Sequence, residues 1–272
     1  MREMTIDEMK AVGVELLKYL HQVCVENEIR YYVAYGTLIG TIRHQGYIPW
    51  DDDIDCELPL EDLMRLKEIV NADYEAGKTS YKVLTMGDPH YYLVQGRLVD
   101  TRTTMINKLY TKHQIEGNGV YIDLFILTGL PAGRELKYAT KLYDYRRAIR
   151  DFGYIRKRKN VIMWLRQHYL YFYYRYFKGE ETLLKKDVYD VMRKYPYDEA
   201  AMVYSFGTLY LEKAIFPRSV YEKTLELPFE GFTVHAPAGY DLYLTQIYGD
   251  YMTPLKPEER ASHHLVVAYW KD

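Results

Sequence analysis

The chain is poor in cysteine, has no long apolar run and carries almost no net charge. Cys24 and Cys56 are its only cysteines. Neither a disulfide framework nor a cysteine-built metal site can be made from them alone, and their scarcity suits a reducing compartment. No stretch of about 18 consecutive apolar residues occurs, so no membrane-spanning helix is expected. The polar opening Met1-Arg2-Glu3-Met4-Thr5-Ile6-Asp7-Glu8 lacks the apolar core of a signal peptide. These features point to a cytoplasmic protein. With 36 Lys/Arg against 38 Asp/Glu, the formal charge is −2, so there is no global basic field to attract nucleic acid. Repeats and low-complexity linkers are absent too. The 272 residues, 48% of them hydrophobic, suffice for one large domain, or one domain with a sizeable insertion.

Two features stand out against that background. Tyrosine is abundant, at 31 residues. The near-neutral total also hides an uneven spread. Between Arg134 and Lys186 there are 15 Lys/Arg and 5 Asp/Glu, about +10, which leaves about −12 for the remainder.

Thr5-x-x-Glu8 reads as a capping box. Apolar residues at helical spacing behind it predict a helix over Ile6–Glu26. Ile29 to Ala34 reads as a strand, followed by Gly36-Thr37 as a turn and by Leu38 to Arg43 as a helical turn. A strand, a small-residue turn and a helix start together aim backbone N–H groups at one point, which suits an anion; a plain turn has the same local sequence. A second strand is expected from Asp53 to Leu58. Alternation then puts Asp53, Asp55 and Glu57 on one face, with Ile54, Cys56 and Leu58 on the other.

The run Asp51-Asp52-Asp53-Ile54-Asp55 packs four carboxylates into five residues. Like charges so close repel, and a fold keeps them most readily with cations between. Oxygen donors suit hard divalent ions. A solvated acidic loop or a structural calcium site is the plainer reading, although the glycine and spacing of an EF-hand loop are missing. Further on, a helix is expected over Leu60–Val70, a loop over 71–78, and strands at Tyr81–Met86, Tyr91–Val99 and Thr103–Asn107. Gly119 to Leu127 is an apolar run interrupted by Asp123. A carboxylate there is costly to bury unless it is paired or ligates a metal, which makes Asp123 a candidate third ligand or a strand-end hydrogen-bonder.

Pro131-Ala132-Gly133 marks a change of composition. A basic helix over Arg134–Phe152 leads to Arg156-Lys157-Arg158-Lys159. Asn160 can cap a helix to Lys178, ended by Gly179. Its aromatic residues, from Trp164 to Phe177, point all round the axis. Such a helix is either buried or lies at a membrane interface, and both readings stand. Another helix covers Glu181–Lys194. Leu225 to Pro237 reads as a hairpin turning at Glu230-Gly231. A helix over Tyr240–Tyr248 stops at Gly249, and Arg260 and the weak metal candidates His263-His264 follow.

A strand, Gly-Thr, a short helix, Asp-x-Asp and a later Asp together resemble the nucleotidyltransferase superfamily. The stretch Gly36-Thr37-Leu38-Ile39-Gly40-Thr41-Ile42-Arg43-His44-Gln45-Gly46-Tyr47-Ile48-Pro49-Trp50-Asp51-Asp52-Asp53-Ile54-Asp55 looks like the signature of the LicD family, which includes the fukutins. Tyr121-Ile122-Asp123-Leu124-Phe125 with Gly129-Leu130-Pro131 is similar to that family as well. So are Phe229-Glu230-Gly231, Pro237, Tyr248-Gly249-Asp250-Tyr251 and His263-His264. The resemblance covers most of the chain and is weakest from about Arg134 to Tyr221.

This resemblance implies an α+β fold: a nucleotidyltransferase-like mixed β-sheet core flanked by helices, with a basic aromatic helical insertion. The expected parts are a catalytic core over 1–130, the basic aromatic segment over 131–197, and a C-terminal part over 198–272 that packs back on the core. Asp53, Asp55 and Asp123 would hold Mg²⁺ or Mn²⁺, as two ions, and Asp123 could also take the acceptor's proton. Gly36, Thr37 and Arg43 would contact the donor phosphate, and Trp50 and Asp51 lie in the same substrate-binding motif. Arg43 could equally pair with the acidic run. Arg97 is a candidate second phosphate contact.

Partners implied are a cytidine nucleotide donor and a glycan or lipid-linked glycan acceptor; the basic aromatic segment, on its interfacial reading, adds peripheral contact to an anionic inner membrane face. The implied reaction is transfer of phosphocholine from CDP-choline to a hydroxyl of a cell-surface glycan such as teichoic acid or lipopolysaccharide, with release of CMP. Phosphoethanolamine, aminoethylphosphonate or ribitol phosphate are the alternative groups. A nucleotidyltransferase releasing pyrophosphate, or a catalytically silent membrane scaffold, would leave other products or none.

Overall fold

The structure, a computed structural model, describes residues 1–107, 117–153, 161–178, 181–256 and 266–271. In order, the elements are β1 (Arg2–Glu3), α1 (Ile6–Glu26), β2 (Tyr32–Val33), α2 (Tyr35–His44), β3 (Asp55–Pro59), α3 (Leu60–Glu75), β4 (Tyr81–Leu84), β5 (Gly96–Asp100), β6 (Thr103–Asn107), β7 (Val120–Leu130), α4 (Glu135–Gly153), α5 (Val161–Tyr173), a π-helical turn (Tyr174–Lys178), α6 (Glu181–Arg193), β8 (Met202–Phe206), β9 (Ile215–Pro217), β10 (Thr224–Phe229), β11 (Phe232–Pro237), α7 (Tyr240–Tyr248) and β12 (Val266–Trp270). This is the α+β architecture expected: a mixed sheet flanked by helices.

The main sheet runs β2-β3-β7-β5-β4, with β8 also on β7 and β9 beyond it. β7 is its spine. It runs parallel to β3 through Asp123–Leu127 and antiparallel to β5 through Val120–Leu124 and to β8 through Ile126–Leu130. A strand flanked on both edges is rich in Val, Ile and Leu because both of its faces are covered. α1 and α3 touch each other and β7. They cover the face that carries the buried Cys56 and Leu58. The opposite face carries Asp55 and Glu57 and is roofed by α2 and α7.

Local chemistry explains the elements that were legible. The Thr5 hydroxyl accepts from the Glu8 N–H while Glu8 accepts from the Thr5 N–H, closing the capping box at the start of α1. At the β10–β11 turn, Glu230 and Gly231 have φ of 46° and 80°. Two successive positive φ values match the twist of a two-residue hairpin.

Several expectations shift. The strand at Ile29–Ala34 shrinks to Tyr32–Val33. Gly36 and Thr37 are no turn: they lie in the first turn of α2, which starts at Tyr35. The second strand starts at Asp55, so Asp51 to Ile54 are irregular and strand alternation does not govern them. α3 runs on to Glu75 through the expected loop. The strand expected from Tyr91 begins only at Gly96, because the Tyr91 N–H turns back to the Asp88 carbonyl and its hydroxyl donates to the Gln95 carbonyl. β1, β8, β9 and β12 were not anticipated. The cationic run 156–159, Asn160, Gly179, Arg260 and His263-His264 lie outside the described residues. Among the described residues, no helix is long and apolar enough to cross a membrane.

Candidate active site

Register places the key side chains. Asp55 on β3 faces Asp123 on β7, and Asp123 faces Arg97 on β5. Cross-strand partners project from one face of a sheet, so these three form a row across adjacent strands. The Arg97 Nε donates to Asp123 Oδ1 at 2.8 Å, and a terminal guanidinium nitrogen donates to Asn118 Oδ1 at 3.2 Å. The guanidinium carbon lies 3.6 Å from the ring centre of Tyr121, a cation–π platform. Burial alone would lower the Arg97 pKa. Asp123, then Tyr121 and Tyr91, outweigh it and raise it. Arg97, expected to touch phosphate, is therefore tied to a carboxylate, and that pair uses only one oxygen of Asp123.

The approach to β3 supplies the other carboxylates. Asp51, Asp52 and Asp53 each bring an oxygen within 4.8 Å of the others. Asp52 joins the group because strand geometry begins only at Asp55. Asp53 remains exposed as a residue, but its carboxyl is pushed up to about 8, by desolvation first and then by Asp51, Asp123 and Asp52. Asp55 is shifted well above the usual carboxylate range, by burial and then by Asp53, Asp123, Asp51 and Glu57. Asp53 and Asp123 thus lie close enough to disfavour the charge of Asp55, while among the described residues the three carboxylates whose oxygens converge within 4.8 Å are Asp51, Asp52 and Asp53. An oxygen-only donor set under this repulsion fits a hard divalent cation.

α2 frames the site. The Asp55 N–H donates to the Thr37 hydroxyl oxygen at 2.9 Å, and the Ala34 N–H donates to the Asp55 carbonyl. The Thr37 hydroxyl, expected on a phosphate, anchors β3 under the helix start. A Cβ on Gly36 would come within 2.7 Å of Asp51 Oδ2, so glycine lets Asp51 approach the α2 N-terminus, where helix N–H groups favour negative charge. Tyr35 has φ of +46°, a strained setting for an aromatic residue. Its ring is buried and its hydroxyl is 2.5 Å from Ser205 Oγ. Trp50 is half-buried against the core. Arg43 donates to the Tyr251 carbonyl at 2.7 Å, linking α2 to the segment after α7.

One part of the site was missed. Glu57, only 1% exposed, accepts from the hydroxyls of Ser205, Tyr221 and Tyr243. Burial raises its pKa, while these hydrogen bonds oppose the rise. Alternation had put Glu57 beside Asp55. No local signal marks its donors, which come from three later elements.

Residues 28–128 match the family model described as "LicD/FKTN/FKRP, nucleotidyltransferase domain". The chain is also 27% identical over 282 residues to "Lipopolysaccharide cholinephosphotransferase LicD" of Haemophilus influenzae, covering 99% of each. The chain carries a LicD-type nucleotidyltransferase domain and resembles a LicD protein along its whole length. It is an enzyme of the LicD type, with a nucleotidyltransferase-like mixed sheet. "Ribitol 5-phosphate transferase FKRP" of Homo sapiens is 34% identical over 59 residues, 22% of this chain and 12% of that protein. The mouse protein of the same name matches over the same length. All of the carboxylates described, Glu57 included, and Arg97 fall inside the matched LicD domain.

Proposed function

We propose that this LicD-type enzyme transfers a phosphocholine-type group from a CDP-activated donor, CDP-choline first among them, to a hydroxyl of a cell-surface glycan, releasing CMP. The observation that carries this reading is the end-to-end alignment with a lipopolysaccharide cholinephosphotransferase, combined with the Asp55–Asp123–Arg97 row. Lipopolysaccharide or teichoic acid, in lipid-linked form, is the acceptor class.

Asp53, Asp55 and Asp123 are the residues that would hold Mg²⁺ or Mn²⁺, with Asp51 beside them. When bound, such ions neutralise phosphate charge and favour in-line displacement. The chain's own residues do the rest. Arg97 fixes Asp123 through Oδ1, which leaves Oδ2 to take the proton of the acceptor hydroxyl. The acceptor oxygen then bonds to the phosphorus that bears the head group, the bond from that phosphorus to the CMP oxygen breaks, and CMP leaves. The first turn of α2 faces the donor phosphates with its N–H groups.

The test is CMP formation with Mg²⁺ from CDP-choline, CDP-ethanolamine, CDP-ribitol and CMP-aminoethylphosphonate, with and without a glycan-lipid acceptor. CDP-choline should give the most CMP, and Asp55→Ala should abolish it. The short ribitol 5-phosphate transferase match makes CDP-ribitol the donor to compare first. CMP from no donor, with Asp55→Ala indistinguishable from the parent, would sink the transferase reading; pyrophosphate from a nucleoside triphosphate would replace it with nucleotidyl transfer.

A further inference from the structure

α5 and the π-helical turn after it present an apolar stripe to solvent. Ile162, Leu165, Tyr169, Tyr173 and Tyr176 recur at intervals of three or four and fall within roughly an 80° arc at about 100° per residue. Ile162 is 77% exposed, Tyr169 63%, Tyr176 71% and the neighbouring Phe177 82%. The inward face is different: His168 and Tyr174 are buried, and the Tyr174 hydroxyl donates to Asp187 on α6. This helix is therefore anchored on one side and bare on the other. A contiguous exposed apolar face of this kind marks an interaction surface.

We infer that this stripe seats the protein on an anionic lipid surface. The charge around it chooses the partner. Residues 161–178 contain no Asp or Glu, and Arg175 and Lys178 are exposed. In the sequence, Arg156-Lys157-Arg158-Lys159 stand just ahead. Basic residues beside an apolar, aromatic face are the make-up of helices that lie in a membrane interface. A second copy of the chain fits poorly, because it would set two strongly basic segments against each other. The rings are already ordered: Tyr169 stacks on Tyr173 at 6.3 Å, and Tyr173 on Phe177 at 6.3 Å, so few side-chain rotamers remain to be frozen on docking.

α5 packs on α4, whose Arg146 donates to the Gly207 carbonyl at 2.9 Å. A Cβ on Gly207 would sit 3.1 Å from Phe125, two residues past Asp123. α4 thus connects the docking face to the sheet that carries the carboxylate row. The inference does not depend on which donor is used.

Vesicle flotation of the full chain tests it. Recovery with phosphatidylcholine–phosphatidylglycerol vesicles should exceed that with phosphatidylcholine alone by on the order of tenfold, and should fall as salt approaches about 1 M, where charge is screened within about 3 Å. Tyr169→Ser/Tyr176→Ser/Phe177→Ser should abolish flotation with an unchanged thermal midpoint, since these side chains face solvent. Arg175→Glu/Lys178→Glu should remove the preference for anionic lipid. Equal recovery on neutral and anionic vesicles, or undiminished flotation of the triple variant, overturns the inference. So does self-association without flotation that the triple variant abolishes, which would assign the stripe to a second copy.

Discussion

At the scale of single residues, the site is governed by crowded carboxylates. Asp53 titrates near 8 in the folded chain, against about 3.9 for a free aspartate. The folded state therefore binds more protons than the unfolded state between those values, so stability falls as pH rises through that window. We expect the thermal midpoint of chelator-treated protein to drop from pH 5 to pH 8, and Mg²⁺ or Mn²⁺ to reverse the drop. Asp53→Asn should reduce the slope and leave the share that comes from the buried Asp55; an unchanged slope would rule Asp53 out as a source. The Arg97–Asp123 pair makes a second case. Removing one partner of a buried pair leaves a charge uncompensated, so Arg97→Met should cost about 3–5 kcal/mol in urea unfolding. The double change with Asp123→Asn should cost less than the sum of the two, the mark of direct coupling. The crowding of carboxylates at Asp51 to Asp53 was legible in the sequence because these residues are neighbours. The tie of Arg97 to Asp123 was not, because it exists only once β5 and β7 pair.

At the scale of elements, helices with their own start and stop chemistry could be read, and short strands could not. α1 has a capping box and α7 ends at Gly249 with φ of 76°; both were found to the residue. β8, β9 and β12 are held by their neighbours in the sheets rather than by a pattern of their own. The same contrast explains α2, read as a turn at Gly36-Thr37 followed by a helical turn that includes Gly40. Gly40 serves a close contact. A Cβ there would lie 2.3 Å from the Gly46 carbonyl oxygen and 3.2 Å from the Ile48 nitrogen. Gly40→Ala should destabilise the protein by about 1–3 kcal/mol and loosen the Asp51–Asp53 loop, seen as faster amide exchange at Ile48 and Asp51. Tyr243→Phe removes one donor to the buried Glu57 carboxylate and should cost about 1.5–3 kcal/mol. A neutral effect in denaturant titration would mean that this hydrogen bond adds nothing to stability.

At the scale of the whole molecule, the basic middle and the tail play different parts. α4 and α6 contact β7 directly, while α5 turns its outer face away. The tail is built into the core: β8 lengthens the main sheet, and Ser205, Tyr221 and Tyr243 satisfy Glu57. A chain cut after Tyr195 should therefore lack a cooperative thermal transition and be digested rapidly by protease; a sharp transition would show that the first part folds alone. The parallel pairing of β3 with β7 has a further consequence, for the order of assembly. Antiparallel neighbours can zip from a turn, but parallel strands must wait for a long crossover to close, and such non-local closure is slow. Asp53 and Asp55 are neighbours in the chain, while Asp123 meets them only when β3 and β7 pair. Mg²⁺ should then leave the refolding rate almost untouched and slow unfolding instead, so that the ion acts as a latch on the finished protein and not as a seed for it.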